Sequence, residues 1–282
     1  MHEQSNILKC ALVYDFDGTL AEGDCAQHGV MPSLKIDVQE FWQKVKERSK
    51  KDDGDEILAY LGILAEIANE QKSEELSVEN LKKHGAKIPM FSGVSSWFDR
   101  INKYGSKNGL HIYHYIISSG LEAMIKGTAI GDKFRQIYAC KYHYNDKAPT
   151  WAAQAINYTT KTQFLFRINK GIDNSWDNEA VNKFIKPSDR EIPFERMIYF
   201  GDGDTDIPSM KLVLLQGGFS LAVFNKDKWG QEDTQKKVEK LISEERSSYV
   251  VPADYEEGSQ LDVTIKGLLQ LFKRRRLPDY RS

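Results

Sequence analysis

Short apolar runs separated by helical stretches make up most of this chain, and several of these runs stop at polar residues. Leu8–Tyr14, Leu110–Ile117, Met197–Phe200 and Ser220–Phe224 are compact apolar runs, which predicts buried strands. Gln136–Tyr144 is predicted to be a further strand. Strands that alternate with helices are typical of a parallel sheet covered by helices. The pattern therefore predicts an α/β fold with a doubly wound, Rossmann-like parallel sheet.

Helical spacing dominates the part of the chain between the first two predicted strands. From Met31 to about Gly105, charged residues are dense and apolar residues recur at the spacing of amphipathic helices. Because this block interrupts the alternation of strands and helices, an inserted, mainly helical domain is predicted at residues 22–104, with the core at residues 1–21 and 105–282. The C-terminal half has two more predicted helices and a basic tail: Thr159–Ile168, Leu261–Phe272 and the run from Lys273 onward.

Charge balance and cysteine content narrow the range of functions. The 282 residues include 41 acidic and 39 basic side chains, which argues against a general binder of nucleic acids or of anionic membranes. No segment is apolar over the length of a transmembrane helix, and Lys9 interrupts the apolar stretch near the N terminus, so no signal peptide is predicted. Cys10, Cys25 and Cys140 are widely spaced and odd in number, which predicts neither disulfides nor a zinc site. A cytoplasmic location is the expectation.

Two aspartates follow the first predicted strand. Asp15 and Asp17 are two residues apart, so their side chains project to the same side of the chain. They lie beyond the carboxyl end of a strand, where α/β sheets bind ligands. Two carboxylates this close repel each other unless a cation lies between them or one takes a proton, and Mg²⁺ is a suitable cation. On its own, such a pair is also typical of an acidic turn that only caps the next segment.

Three more aspartates, Asp202, Asp204 and Asp206, follow a later predicted strand. The first and last are four residues apart, so a turn leading into a helix can direct both toward one site. The start of this run is similar to a calcium-binding EF-hand loop. Ile207 and Pro208 break that ligand pattern, and no glutamate occupies the twelfth position of the loop. A calcium-binding loop is therefore a poor alternative. A turn whose charged side chains are simply solvated is the second alternative.

A serine and a lysine also lie near predicted strand and helix ends. Ser118 follows the strand Leu110–Ile117, where its hydroxyl can donate to a phosphate oxygen or cap the next helix. Lys161 lies at the start of the predicted helix Thr159–Ile168, where the helix dipole disfavours a cation. An anionic partner would compensate for that position, although a single lysine is usually a solvated surface charge.

Together these residues resemble the four motifs of the haloacid dehalogenase (HAD) superfamily, in the same order along the chain. The matching segments are Asp15-Phe-Asp17-Gly-Thr-Leu20 for the first motif, Ile116-Ile-Ser118 for the second, Lys161 for the third and Gly201-Asp202-Gly-Asp-Thr-Asp206 for the fourth. The matches span most of the chain, and their combination is far more specific than any one of them. The resemblance implies a phosphatase on a HAD-like α/β core.

The resemblance also implies roles for the residues that would act on the phosphate. Asp15 would attack phosphorus and form an aspartyl-phosphate. Asp17 would protonate the leaving alkoxide and then take a proton from the attacking water. Ser118 and Lys161 would bind the oxygens of the transferring phosphoryl group.

A magnesium ion is the implied cofactor. Asp15, Asp202 and the backbone carbonyl of Asp17 would hold Mg²⁺, with Asp206 in its ligand shell or just outside it. The ion would shield the nucleophile from the negative phosphate and stabilise the transferring charge. The resemblance assigns no fixed role to Asp204.

The inserted helical block resembles the cap domain of one branch of the superfamily, which includes the phosphoserine phosphatases. In that branch the cap closes over the site and recognises the leaving group. Asp24 lies nine residues beyond Asp15, where phosphoserine phosphatases have a glutamate that contacts the substrate amine. Asp24 is therefore a candidate for substrate specificity, although aspartate has the shorter reach. The implied partner is a small phosphorylated metabolite.

Several functions remain open on the sequence alone. The leading hypothesis is magnesium-dependent hydrolysis of a small phosphate monoester. A phosphotransferase or mutase would differ only in the acceptor. A dehalogenase would need neither a metal nor Asp17, yet Asp17 and the acidic fourth motif are both present. A non-catalytic module that binds phosphorylated ligands would be expected to lack at least one acid, and none is missing.

Overall fold

A computed structural model describes residues 7–275 as a sheet surrounded by helices. The strands are β1 (Leu8–Tyr14), β2 (Leu110–Leu121), β3 (Gln136–Asn145), β4 (Ala148–Gln154), β5 (Met197–Gly201), β6 (Phe219–Phe224) and β7 (Tyr249–Pro252). They form one seven-stranded sheet in the order β4-β3-β2-β1-β5-β6-β7. Every neighbouring pair is parallel except β3 and β4, which are antiparallel.

The helices lie mainly between the strands in sequence. They are α1 (Cys25–His28), α2 (Val30–Ser33), α3 (Val38–Asp52), α4 (Glu56–Glu70), α5 (Val78–Gly85), α6 (Val94–Lys107), α7 (Glu122–Gly127), α8 (Lys161–Lys170), α9 (Asn178–Asn182), α10 (Ile207–Leu215), α11 (Glu232–Ser243) and α12 (Gln260–Arg275). Within residues 7–275, no helix combines the length and the apolarity needed to cross a membrane.

The central strand β1 shows why the sheet is doubly wound. β1 pairs with β2, starting with Leu8 opposite Leu110, and with β5, starting with Ala11 opposite Met197. Consecutive side chains of a strand face opposite sides, and Cys10–Tyr14 are all fully buried. Helices therefore cover both faces of the sheet, and the expected α/β fold is confirmed.

Two strands and one strand end differ from the sequence-based expectation. The strand β4 forms a hairpin with β3 through a two-residue loop in which Asp146 has a φ of +56°. Most positions of β4 are not buried, so its sequence lacks the apolar pattern that predicts a strand. The strand β7 has four residues and is too short to predict. The strand β2 continues past Ile117 to Leu121, so Ser118 lies inside it. The basic tail beyond Arg275 falls outside the described residues.

The inserted segment leaves and rejoins the core at one point. Ala21 and Met90 form an antiparallel bridge, and the Glu22 backbone N–H donates to the Pro89 carbonyl at 2.9 Å. The sequence-based boundary between residues 104 and 105 falls inside α6, a continuous helix that packs against β2. The helix α6 has the amphipathic pattern expected of the insertion, but it packs on the sheet as a core helix does. We propose residues 22–89 as the inserted domain.

A buried chain of hydrogen bonds joins α6 to the two central strands. The indole N–H of Trp97 donates to the Tyr14 hydroxyl at 2.9 Å, and that hydroxyl lies 3.1 Å from Nδ1 of His114. Nε2 of His114 lies 2.9 Å from Oδ1 of Asn102. All three hydrogen bonds are satisfied if the His114 ring is neutral, donates from Nε2 and accepts at Nδ1. Protonation of His114 would break this order.

Acid is therefore expected to destabilise the fold through His114. Burial lowers the pKa of His114 from 6.5 to about 3, so the unfolded chain takes up a proton near pH 6.5 and the folded chain does not. The contribution to stability is present in full above pH 6.5 and is lost as the pH falls toward 3, up to about 5 kcal/mol. Urea denaturation between pH 4 and 7 should show a weaker pH dependence for His114→Gln than for wild type. His111→Gln, at an exposed position of the same strand, is the control, and its unfolding free energy should depend on pH as that of wild type does. The same pH dependence in all three proteins would contradict the role of His114.

The insertion packs closely on elements that follow Ser118 in the chain. A Cβ atom on Gly85 of α5 would lie 1.9 Å from the Met124 carbonyl oxygen, and one on Gly127 of α7 would lie 2.2 Å from the Lys82 carbonyl oxygen. The backbones of α5 and α7 can therefore cross only because both positions are glycine. The hairpin of β3 and β4 makes the second contact, because the Tyr142 hydroxyl donates to the Leu61 carbonyl at 2.7 Å.

Candidate active site

Carboxylates from two neighbouring strands meet at the carboxyl edge of the sheet. Asp15 directly follows β1 and Asp202 directly follows β5. Asp206 lies at the end of the short turn that leads from β5 into α10. Oxygen atoms of Asp15, Asp202 and Asp206 all lie within 4.8 Å of one another. The structure thus brings together three of the acids for which the sequence predicts metal binding. Asp204 belongs to the same turn, and it remains without an assigned role.

Two glycines make room for these acids. Gly18 has a φ of +71°, and a Cβ atom there would lie 2.6 Å from Cγ of Asp202. A Cβ atom on Gly201 would lie 2.5 Å from Cβ of Asp206. Both distances are far shorter than van der Waals contact, so a larger residue at either position would displace a carboxylate. The glycines of the first and fourth motifs therefore serve the packing of the acids.

Lys161 lies at the start of α8 and is completely buried. Its Nζ lies 2.9 Å from Oδ1 of Asp15 and 2.8 Å from Oδ1 of Asp206. Burial alone would lower the pKa of Lys161, but the two carboxylates raise it above its ordinary value. The lysine is therefore charged, and it has the anionic partners that its position at a helix start requires.

Tyr199 is a member of the site that the sequence does not reveal. Its hydroxyl donates to Oδ1 of Asp206 at 2.8 Å, the same oxygen that accepts from Lys161. The other oxygen of Asp206 accepts from the backbone N–H of Asp202 at 3.2 Å. Asp206 is thus fixed by three donors and positions Lys161 beside Asp15. Tyr199 lies within an apolar strand, and a tyrosine there is as typical of a core as of a site.

The site holds more negative than positive charge. Its charged groups include the carboxylates of Asp15, Asp17, Asp24, Asp202 and Asp206 and the ammonium groups of Lys161 and Lys237, the last of which lies 3.1 Å from Oδ2 of Asp202. When all the acids are ionised, negative charge exceeds positive charge. Burial and the neighbouring charge of Asp206 accordingly raise the pKa of Asp15 well above its usual range.

A divalent cation fits this arrangement. Asp15, Asp202 and Asp206 offer oxygen atoms that lie within 4.8 Å of one another, and hard cations such as Mg²⁺ prefer oxygen ligands. The side chain of Asp17 is not part of this three-carboxylate group, so its implied contribution through the backbone carbonyl stays a prediction.

Asp17 is placed for proton transfer. Its Oδ1 accepts a hydrogen bond from the Cys25 backbone N–H at 3.0 Å and also contacts the Cys25 thiol. Burial, with a further contribution from the charge of Asp24, raises the pKa of Asp17 to about 7. A carboxyl group that titrates near neutral pH can donate a proton in one step and accept one in the next. Cys25 is a neighbour of Asp17 that no sequence motif indicates.

Ser118 lies beside Asp17. Its Oγ accepts from the Gly120 backbone N–H at 3.0 Å, and the side chain is buried. A Cβ atom on Gly120 would lie 3.2 Å from Oδ2 of Asp17 and 3.3 Å from Oγ of Ser118. Both side chains therefore border the same glycine at the carboxyl edge of the sheet, and the hydroxyl proton of Ser118 is available for a further acceptor.

A small cavity of about 80 Å³ adjoins Asp17 on the side of the inserted domain. Its lining includes Asp17, Asp24, Trp42, Tyr60 and Ser119. The rings of Trp42 and Tyr60 stack with centroids 5.5 Å apart. Asp24 caps α1 by accepting from the Ala26 backbone N–H at 2.8 Å, so part of its hydrogen-bonding capacity is already used. The sequence does not predict the two aromatic residues here, because helical spacing indicates burial but not what the buried ring faces.

The sequence of this chain is similar to a known protein family. The family model described as "Putative Phosphatase" matches residues 10–222. A protein of Borreliella burgdorferi named "Uncharacterized protein" is 29% identical over 288 residues, which cover 93% of this chain and 96% of that protein.

Solved structures resemble this one in fold. A substrate-bound phosphoserine phosphatase complex matches with a TM-score of 0.56 at 14% identity, covering 92% of this chain and 98% of its own. A phospho-aspartyl intermediate analogue of phosphoserine phosphatase matches with a TM-score of 0.53 at 16% identity, covering 92% and 99%. The family match spans three quarters of the 282-residue chain and includes every motif acid from Asp15 to Asp206. The chain therefore belongs to this family of phosphatases, and its fold resembles that of the phosphoserine phosphatases.

Proposed function

We propose that this phosphatase hydrolyses a small phosphate monoester with Mg²⁺ as cofactor and Asp15 as nucleophile. The observation that carries the proposal is the buried contact of Asp15 with Lys161, 2.9 Å apart, beside an acid whose pKa is raised to about 7. A carboxylate held by a lysine, next to a group that exchanges protons at neutral pH, is suited to nucleophilic phosphoryl transfer.

In the first half of the reaction, an oxygen of Asp15 attacks phosphorus. A bond forms between that oxygen and phosphorus, and the bond between phosphorus and the leaving alkoxide oxygen breaks. Asp17 gives its proton to the alkoxide, which leaves as an alcohol. Lys161 and the hydroxyl of Ser118 bind phosphoryl oxygens and stabilise the charge that they carry.

In the second half, water regenerates the enzyme. Asp17, now ionised, takes a proton from a water molecule whose oxygen attacks the phosphorus of the aspartyl-phosphate. The bond to Asp15 breaks, inorganic phosphate leaves, and Asp17 has its proton again. Asp15, Asp202 and Asp206 would hold Mg²⁺, which when bound supplies positive charge next to the phosphoryl oxygens.

The cavity beside Asp17 supports a small leaving group. Its volume of about 80 Å³ has room for several water-sized groups. Ser119 Oγ has no hydrogen-bond partner within residues 7–275 and lines this cavity, so it is available to a polar group of the substrate. We therefore propose a small phosphorylated metabolite as the partner, with Asp24, Ser119 and the aromatic pair as determinants of specificity.

Hydrolysis of para-nitrophenyl phosphate tests the proposal. Activity is expected with Mg²⁺ and should disappear in excess EDTA. Asp17→Asn should lower kcat by about 10²–10⁴-fold, since a positioned general acid–base group contributes that much. Asp233→Asn on α11, an exposed acid outside the site, is the control and should leave kcat unchanged.

Three outcomes would count against the proposal. Full activity in EDTA would show that hydrolysis of the ester needs no metal. Release of para-nitrophenol without inorganic phosphate would indicate transfer to an acceptor other than water. Binding of phosphate without turnover under any metal would indicate a binding module.

A further inference from the structure

A lysine from a distant helix contacts the metal-binding face of the site. Lys237 lies on α11, between β6 and β7, and its Nζ lies 3.1 Å from Oδ2 of Asp202, 35 residues earlier in the chain. Gly203 leaves space for this contact, because a Cβ atom there would lie 2.9 Å from the lysine Nζ. The side chain of Lys237 is 43% exposed and that of Asp202 is 30% exposed, so this pair is at the border between the site and solvent.

The neighbouring lysine on the same helix has a different environment. Lys236 pairs with Glu232 one turn earlier, and both side chains are mostly exposed. That pair lies along the surface of α11 and does not reach the acids. Lys237 is thus the member of this lysine pair that adds a positive charge to the site, and Lys236 provides a matched comparison of identical chemistry.

We infer that Lys237 competes with the divalent cation for Asp202 and thereby lowers the affinity of the metal site. This inference rests on the proposed function, in which Asp202 is a metal ligand. An ammonium group 3.1 Å from a ligand oxygen occupies one of the positions from which that carboxylate can bind a cation. If the metal ion binds the other oxygen of Asp202, the ammonium group of Lys237 repels it. Both effects weaken metal binding, so the sign of the change does not depend on which oxygen the metal takes.

The same contact stabilises the site when no metal is bound. Without Lys237, Asp202 would face Asp206 and Asp15 with only Lys161 as a compensating charge. The lysine therefore acts as an internal cation that competes with the metal for Asp202. Metal binding should free the Lys237 side chain, since the divalent ion then neutralises Asp202.

Direct measurement of Mg²⁺ binding tests this role without relying on activity. Calorimetric titration of Lys237→Met at low ionic strength should give binding about 2- to 5-fold tighter than wild type, the range expected for loss of a partly exposed ion pair. Lys237→Arg should bind like wild type, because the charge is retained. Lys236→Met, which changes the net charge equally but not the site, should also bind like wild type. Addition of 0.5 M KCl should reduce the difference, since salt screens exposed charges.

Thermal unfolding provides the second readout. In EDTA, Lys237→Met should melt below wild type, because Asp202 has lost its partner. In saturating Mg²⁺ the two melting temperatures should converge, since the ion then replaces the lysine. A lower melting temperature of equal size in both conditions would show a structural role and overturn the inference.

The remaining outcomes separate this inference from the proposed function. Unchanged or weaker Mg²⁺ binding by Lys237→Met would overturn the competition and leave the metal site intact. A higher KM for para-nitrophenyl phosphate with unchanged Mg²⁺ binding would overturn it in favour of a substrate-binding lysine. Absence of Mg²⁺ binding by wild type, and equally by Asp202→Asn, would overturn both the competition and the metal-dependent function.

Discussion

Asp15→Asn is expected to lower kcat by more than about 10⁴-fold, the scale seen when a nucleophile is removed. An amide cannot attack phosphorus, and no other described carboxylate has both the strand-end position and the contact with Lys161. Brief incubation with a phosphate ester carrying labelled phosphorus, followed by denaturation, should leave label on wild type and none on the variant. Turnover within tenfold of wild type by a folded Asp15→Asn protein would rule out this nucleophile.

The same substitution should not weaken the fold. Burial and the charge of Asp206 raise the pKa of Asp15, which means that ionised Asp15 is less favourable in the folded chain than in the unfolded one. A neutral amide of the same shape removes that repulsion, while Lys161 keeps Asp206 as a partner. The melting temperature of Asp15→Asn in EDTA should equal or exceed that of wild type. Comparison of the melting curves thus separates loss of chemistry from loss of structure.

Lys161→Met is expected to damage both stability and catalysis. Removal of one partner from a buried ion pair typically costs about 3–5 kcal/mol, because the other partner stays buried without compensation. Here two buried acids, Asp15 and Asp206, would lose their shared ammonium group. Loss of a group that binds the transferring phosphoryl should also lower kcat by about 10²–10³-fold. Urea denaturation in EDTA and kinetics in Mg²⁺ measure the two effects separately.

Mg²⁺ should restore part of the stability of Lys161→Met. A divalent ion bound to Asp15 and Asp206 supplies charge that the lysine no longer provides, and any ligand that binds only the folded state stabilises it. Lys83→Met is the control, because Lys83 pairs with Glu79 on the surface of α5, and its stability should not change measurably. A loss for Lys161→Met as small as that of the control would mean that Lys161 does not carry the charge of this site.

The residues that a motif specifies could be predicted from the sequence, and the neighbours that hold them in place could not. Asp15 and Asp202 lie near each other because strand ends in a parallel sheet meet at one edge, and the turn after β5 and the start of α8 bring Asp206 and Lys161 to the same edge. Tyr199 has no such signal, since its role depends on the side chain that lies beside it. That partner, Asp206, lies only seven residues later, but the path of the turn between them cannot be read from the spacing.

The end of the inserted domain was also difficult to predict from the sequence. The helix α6 has the amphipathic spacing expected of an inserted domain, but Trp97 and Phe98 pack on Tyr14 and His114 of the core. A stripe of apolar residues shows that a helix has a buried face, but it does not show whether that face packs on the sheet or on other helices. The hairpin of β3 and β4 was hidden for the opposite reason, because much of β4 is exposed.

The close crossing of α5 and α7 has a consequence for recombination between related enzymes. Gly85 and Gly127 bring the two backbones into direct contact, and the hairpin holds α4 through Tyr142. A chimaera that receives only residues 22–89 from a relative would pack a foreign α5 against the native α7. Any residue larger than glycine at the crossing would clash with the backbone of the other helix. The unit that can be exchanged as a whole therefore comprises three separated segments: 22–89, α7 and the hairpin of β3 and β4. Diversification of the leaving-group pocket by domain shuffling is correspondingly constrained, and substitution within the pocket is the less demanding route to a new substrate.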